Sequence, residues 1–163
     1  MADTKFGFQK VKENITRMKV ELPKVLANQA QNFFVSSWDK QGWDGAAWKV
    51  PQRRIEGTKA YKYPKKYKLS RRTNITLVGA GNKKGAGGGT LRRAVSNSIR
   101  SQTFNQVRLV VDLPYAKIHN DGLPMKNGVN MPKRTFMKDS PILRVSQQVK
   151  IKEFGDKVWG FKI

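Results

Sequence analysis

From Lys12 to Trp38 the apolar residues fall at Ile15, Met18, Leu22, Val25, Leu26, Ala30, Phe33 and Phe34. Intervals of three and four put such side chains on one face of a helix. Pro23 interrupts the row, because it removes the amide that would bond back to Lys19 and disfavours helix at Leu22. The pattern therefore predicts a short helix or turn before Pro23, then a longer helix from about Pro23 to Lys40 with the proline in its first turn. Its aromatic end, Phe33, Phe34 and Trp38, needs a wall to pack on and predicts core. Gly42-Trp43-Asp44-Gly45 breaks the helix, and Trp48 follows before Pro51.

Further along, TNITLV at 73–78 reads as a short strand, and the glycine run at 79–89 reads as a flexible loop. Thr90 is placed to cap a helix whose apolar face is Leu91, Ala94, Val95, Ser98 and Ile99. Residues 104–113 alternate, with Val107, Leu109, Val111 and Leu113 on one side and Arg108 and Asp112 on the other, which is strand period. Tyr115 to Asn120 continues that strand or turns out of it, and Asp121-Gly122 signals a turn. Asn127-Gly128 suits a hairpin tip within a loop from Pro124 to Pro132. Ser140-Pro141 is a helix start, with Ile142, Val145 and Val149 as its expected buried side. Residues 1–10 read as a frayed tail, and 154–163 as a strand or a partner-binding tail. The sum is one α+β domain over residues 1–163: a small antiparallel sheet packed with a long N-terminal helix and a second helix.

Charge changes this picture more than composition does. Lys and Arg number 33 against 11 Asp and Glu, a net charge of +22. Between Asp44 and Asp112 the only acid is Glu56, against 16 Lys and Arg. Such a field repels further copies of the chain and attracts polyanions. The stretch from Arg53 to Arg72, expected to be an irregular or extended loop, interleaves Tyr61, Tyr63 and Tyr67 with lysines. Lysines can neutralise phosphates while tyrosine rings offer stacking faces. Candidate contacts to DNA or to an acidic partner are Arg53, Arg54, Lys62, Lys65, Lys66, Lys68, Arg71, Arg72, Lys83 and Lys84. The aromatic ribonucleoprotein signature, zinc spacing and heptads are all missing from the sequence.

Catalytic readings find little material. The chain has no cysteine and one histidine, so neither a thiolate site nor a two-histidine metal site can form within it. Gly89 is followed by Thr90-Leu91 rather than by lysine and a hydroxyl, so a phosphate-binding loop is absent. His119 with Asp112 or Asp121 is the one conceivable general-base pair. The expectation is no enzyme, no cofactor and no metal. No run of 18 apolar residues occurs and MADTKFGFQK lacks the apolar core of a signal peptide, so no membrane role is expected either.

Four segments, taken in order, resemble a known family. They are the aromatic-glycine-tryptophan stretch Phe33 to Trp48, then GTLRRAV at Gly89 to Val95, then YAKIHNDG at Tyr115 to Gly122, and finally Pro132, Arg134 and Phe136 in MPKRTFMKDS. Their order and spacing are similar to the phage virion-morphogenesis or tail-completion family, the small neck proteins of Mu type. Ala94 stands where that family commonly has serine, and the basic tyrosine segment and glycine loop look longer than its usual linker.

The resemblance implies an α+β subunit without catalysis, assembled in the host cytoplasm into a homo-oligomeric ring at the head-to-tail junction of the virion. Its partners would be other neck, portal-side or tail proteins, with non-specific DNA contact in the channel. It singles out Leu91, Arg92, Tyr115, Ala116, His119, Gly122, Pro132, Arg134 and Phe136 for folding or assembly roles. Arg134 beside Phe136 offers a planar donor next to an apolar anchor, a pair favoured at interfaces. The alternative from the residues alone is a sequence-independent nucleic-acid-binding protein.

Overall fold

A computed structural model describes residues 7–62, 77, 89–124, 128 and 130–160. The expected glycine loop up to Gly88, the strand at 73–78 apart from Leu77, the hairpin-tip residue Asn127 and the outer parts of both tails lie outside the described residues. Leu77 itself sits in a turn with φ 60°.

The first element, α1 (Phe8–Lys40), is one unbroken helix of 33 residues, about 50 Å long. Pro23 lies inside it rather than at a start, which corrects the expected break. Leu22 and Pro23 are both buried there, and that tertiary packing outweighs the lost Lys19 hydrogen bond. The helix ends at Gln41, which adopts the left-handed conformation (φ 49°) and donates its backbone N–H to the Ser37 carbonyl. A tight hairpin follows, β1 (Gly42–Trp43) and β2 (Ala46–Ala47), joined through Asp44 and Gly45, both at positive φ. Gly42 is required by contact, since a Cβ there would lie 2.5 Å from the Ala46 carbonyl oxygen.

Within the expected irregular loop Arg53–Arg72, residues 53–62 instead carry the end of a 3-10 turn (Gln52–Arg54) and a single helical turn, α2 (Lys59–Lys62), while 63–72 lie outside the described residues. Thr58 begins the latter, accepting from the Tyr61 amide at 3.2 Å. α3 (Thr90–Ser96) is capped by Gly89 at φ 92°, not by Thr90, and it stops short of Ser98. Ser98 is buried, and Ile99 opens β3 (Ile99–Gln102), which pairs antiparallel with β4 (Val107–Leu109). The ladder is shorter than the alternation at 104–113 suggests, but Val107 and Leu109 do face inward while Arg108 faces water. Tyr115–Asn120, expected to extend or leave that strand, instead enters a short helix, α4 (Ala116–Asp121).

The last element, α5 (Pro141–Trp159), starts where the sequence predicts: the Ser140 hydroxyl accepts from the Leu143 amide at 3.1 Å, with Pro141 in the first turn. Its expected buried side is reversed. Ile142, Val145 and Val149 are 55%, 60% and 53% exposed, whereas Val158 is buried and Leu143 is buried in the core that Ala30 and Phe34 of α1 help to form. The helix also runs through 154–159, where a strand or tail was expected.

The core sits at the C-terminal half of α1. Ala30, Phe34 and Trp38 meet Trp48, Leu91, Val95, Ala116, Phe136 and Leu143. Trp38 packs edge-on to Trp48 with ring centres 5.7 Å apart, and lies 5.2 Å from Phe136. Phe33, Phe34 and Trp43 form a second aromatic group beside it. This is the α+β arrangement of long helix, further helices and small antiparallel strand pairs.

Candidate functional site

The segments that carry the family resemblance are brought together around one centre. Ala116 begins α4 and is buried, a position where a larger side chain would displace the core. Two turns later the helix is closed by Gly122, at φ 75°, whose N–H bonds the Ile118 carbonyl at 3.0 Å. A Cβ on Gly122 would also lie 2.8 Å from that of Lys133. Glycine is thus required here twice over, by conformation and by the close passage of 131–137.

That passing chain is stitched to α4. The Arg134 amide donates to the His119 carbonyl at 2.8 Å, and the Thr135 hydroxyl to the Asn120 carbonyl at 3.3 Å. Asn120 Oδ1 accepts from the amides of Phe136 and Met137 at 3.0 and 3.1 Å. On the other side, Trp48 Nε1 donates to the Thr135 carbonyl at 2.8 Å, and the Arg134 guanidinium donates through Nε and Nη2 to the Lys49 carbonyl at 3.3 and 3.2 Å. Ser140 closes the circuit by donating to Asp44 Oδ1, 2.5 Å away, at the tip of the β1–β2 hairpin.

This placement revises the interface role expected of Arg134 and Phe136. Arg134 is only 7% exposed and Phe136 is buried in the core, so the pair holds chain segments together instead of facing a partner. Pro132 is half-buried ahead of them, and Leu91 is buried on α3. Arg92 remains at the surface, paired with Asp39 at 2.8 Å; an exposed pair of this kind contributes about 0–1 kcal/mol. Tyr115 is exposed, its ring edge-on to that of His119 at 6.0 Å.

Neither Asp112 nor Asp121 is hydrogen-bonded to His119. Its Nδ1 is buried with no hydrogen-bond partner among the described residues, so the expected bond across the turn is missing as well. Asp112 is engaged by Arg100 at 3.1 Å and Asp121 by the Asn120 amide group at 3.0 Å. Burial, and then the charge of Arg134, push the His119 pKa below its usual value. The pKa of Arg134 is lowered too, by burial and then by Arg53, so the two arginines feel each other's field. Among the described residues no group of three His, Asp or Glu is arranged to hold a metal ion. No helix among them is long and apolar enough to cross a membrane.

Of the expected basic contacts, Arg54 and Lys62 are exposed and Arg53 is half-buried. Lys65, Lys66, Lys68, Arg71, Arg72, Lys83 and Lys84 lie outside the described residues. The surface feature that sequence reasoning missed is the apolar row on α5. Ile142 at its upper end also lines a pocket of about 170 Å³ with Phe33, Trp43, Ala46 and Ala47. Its signal was present in the sequence, as the same triplet assigned there to the core.

Comparisons with family models, with curated proteins and with solved structures find nothing that matches this chain.

Proposed function

We propose that this chain is a structural, non-catalytic component of a bacteriophage virion, a tail-completion or neck protein that assembles as a ring at the head-to-tail junction. The observation that supports this reading is convergence. Segments far apart in sequence, Phe33–Trp48, Gly89–Val95, Tyr115–Gly122 and Pro132–Phe136, surround one core, and three of them are joined by direct hydrogen bonds. The exposed apolar row on α5 gives the folded subunit a surface suited to assembly.

The test is sedimentation velocity over a concentration series, with and without DNA. A ring-sized species, formed alone or with virion neck proteins, is the expected result. The second reading, a sequence-independent nucleic-acid-binding protein, draws on the net charge of +22. A monomer at every concentration, binding DNA with a steep salt dependence, would favour it over the first.

A further inference from the structure

Between β4 and the start of α5 lies a groove of about 500 Å³, within the size range of ligand sites. Its floor is Leu26, Ala30 and Phe34, spaced four residues apart along α1. Val107 and Leu109 of β4 form one wall, and the chain from Met137 into the first turns of α5 forms the other.

The β4 wall is an open strand edge. Thr103 and Gln106 exchange both of their backbone bonds, at 2.9 and 3.1 Å, and the Val110 amide donates to the Ser98 carbonyl at 2.7 Å. Backbone groups alternate in direction along an antiparallel strand. Residues 106, 108 and 110 therefore turn theirs toward β3, while the N–H and C=O of Val107 and Leu109 turn away from it. Among the described residues nothing bonds these four groups. The sheet has only the two strands, and no residue of β3 lines the groove, so the open edge faces into it.

An open edge over an apolar floor selects its occupant. Main-chain donors and acceptors at strand spacing recognise extended backbone, not a helix. Side chains of an added strand would alternate, one set over Leu26, Ala30 and Phe34 and the other on the outer face beside Arg108. Arg108 is exposed, and so is Lys138 at the rim of the groove. Neither forms an ion pair among the described residues. The one acid at the rim, Asp139, is already held by Arg144 at 2.8 Å. Acidic residues in the outer set would complement the two free cations. This chain has no such segment to offer, because no two of its 11 Asp and Glu stand two residues apart.

We infer that the free edge of β4 takes up an extended segment of another protein, which adds as a third strand with apolar residues inward and acidic residues outward. The inference does not depend on the virion reading.

The test titrates the full chain into a labelled synthetic peptide of alternating valine and glutamate, followed by fluorescence anisotropy. A matched peptide carries lysine for glutamate. The glutamate peptide is expected to bind at least about tenfold more tightly, a difference of about 1.4 kcal/mol. The double variant Arg108→Glu, Lys138→Glu should invert that preference; both residues are exposed, so the fold should persist. Two further peptides carry N-methyl groups on every valine or on every glutamate. Only one of these should lose binding, and which one reports whether the strand adds antiparallel or parallel. Hydrogen exchange read by NMR should show the Val107 and Leu109 amides unprotected in the free chain and slowed by the glutamate peptide. Equal binding of the glutamate and lysine peptides, binding of neither, or N-methyl groups that act alike on both sets would overturn the inference. So would protection of those two amides without peptide, since that outcome assigns the edge to this chain itself or, where protection rises with concentration, to a second copy.

Discussion

The two halves of α1 belong to one helix yet live in different surroundings. From Leu22 to Trp38 it contributes Ala27, Ala30, Phe34 and Trp38 to a closed core, and other segments are hydrogen-bonded around its far end. From Phe8 to Val20 no residue is fully buried. The difference teaches that helical periodicity alone does not tell where a helix is held. Hydrophobic burial and interlocking polar contacts concentrate stability at one end, while the other is maintained by helix propensity and its continuity with the first.

Substitutions should separate the halves cleanly. Trp38→Ala removes the largest fully buried side chain and should cost about 3–5 kcal/mol in urea unfolding. Phe8→Ala, on the same helix, should change stability by less than about 0.5 kcal/mol. Equal losses would mean that the core extends along the whole of α1.

Next in size is Gly122→Ala, expected to cost about 1–3 kcal/mol because it combines a strained φ with a clash against Lys133. Gly45→Ala, at a similar φ but with open space around it, should cost about 1 kcal/mol and so calibrates the conformational part. Asn120→Ala leaves the amides of Phe136 and Met137 without an acceptor and should cost about 1–3 kcal/mol by the same measurement.

A smaller effect comes from pH. The folded state holds the His119 pKa below its usual value, chiefly through burial and then through Arg134. The unfolded chain therefore binds the proton first as pH falls past about 6.5. Stability should be full at neutral pH, decline as pH drops through that value, and level off below the depressed folded pKa. His119→Asn should flatten this slope in denaturant titrations across the acid range. An unchanged slope would show that another group is responsible.

The aromatic end of α1 was legible in sequence because Phe33, Phe34 and Trp38 fall at helical spacing beside a glycine stop. The Ser140-Pro141 helix start was legible for a similar reason: its signal is local and its cap is formed by the residue that announces it. What was hidden depends on distant partners. Pro23 reads as a boundary unless the burial of Leu22 and Pro23 is known. Asn120 gives no local sign of its role, because its acceptor serves amides 16 and 17 residues away. On α5 the sequence offered two apolar sets, and the triplet Ile142, Val145 and Val149 was the more regular. Leu143 and Val158 were nevertheless the buried ones, leaving that triplet in water. The same misreading moved Arg134 outward, since an arginine is seldom expected to spend its guanidinium on a single backbone carbonyl, here that of Lys49.

If the chain forms the proposed ring, the exposed row on α5 is the surface that would carry its contacts. Negative-stain electron microscopy of the wild-type chain beside the double variant Val145→Asp, Val149→Asp tests that surface in one experiment. The account predicts closed rings for the wild type and dispersed single copies for the variant, with an unchanged circular dichroism spectrum. Dispersed wild-type copies at every concentration, with or without neck proteins, would contradict it; rings that persist in the variant would remove α5 from the interface.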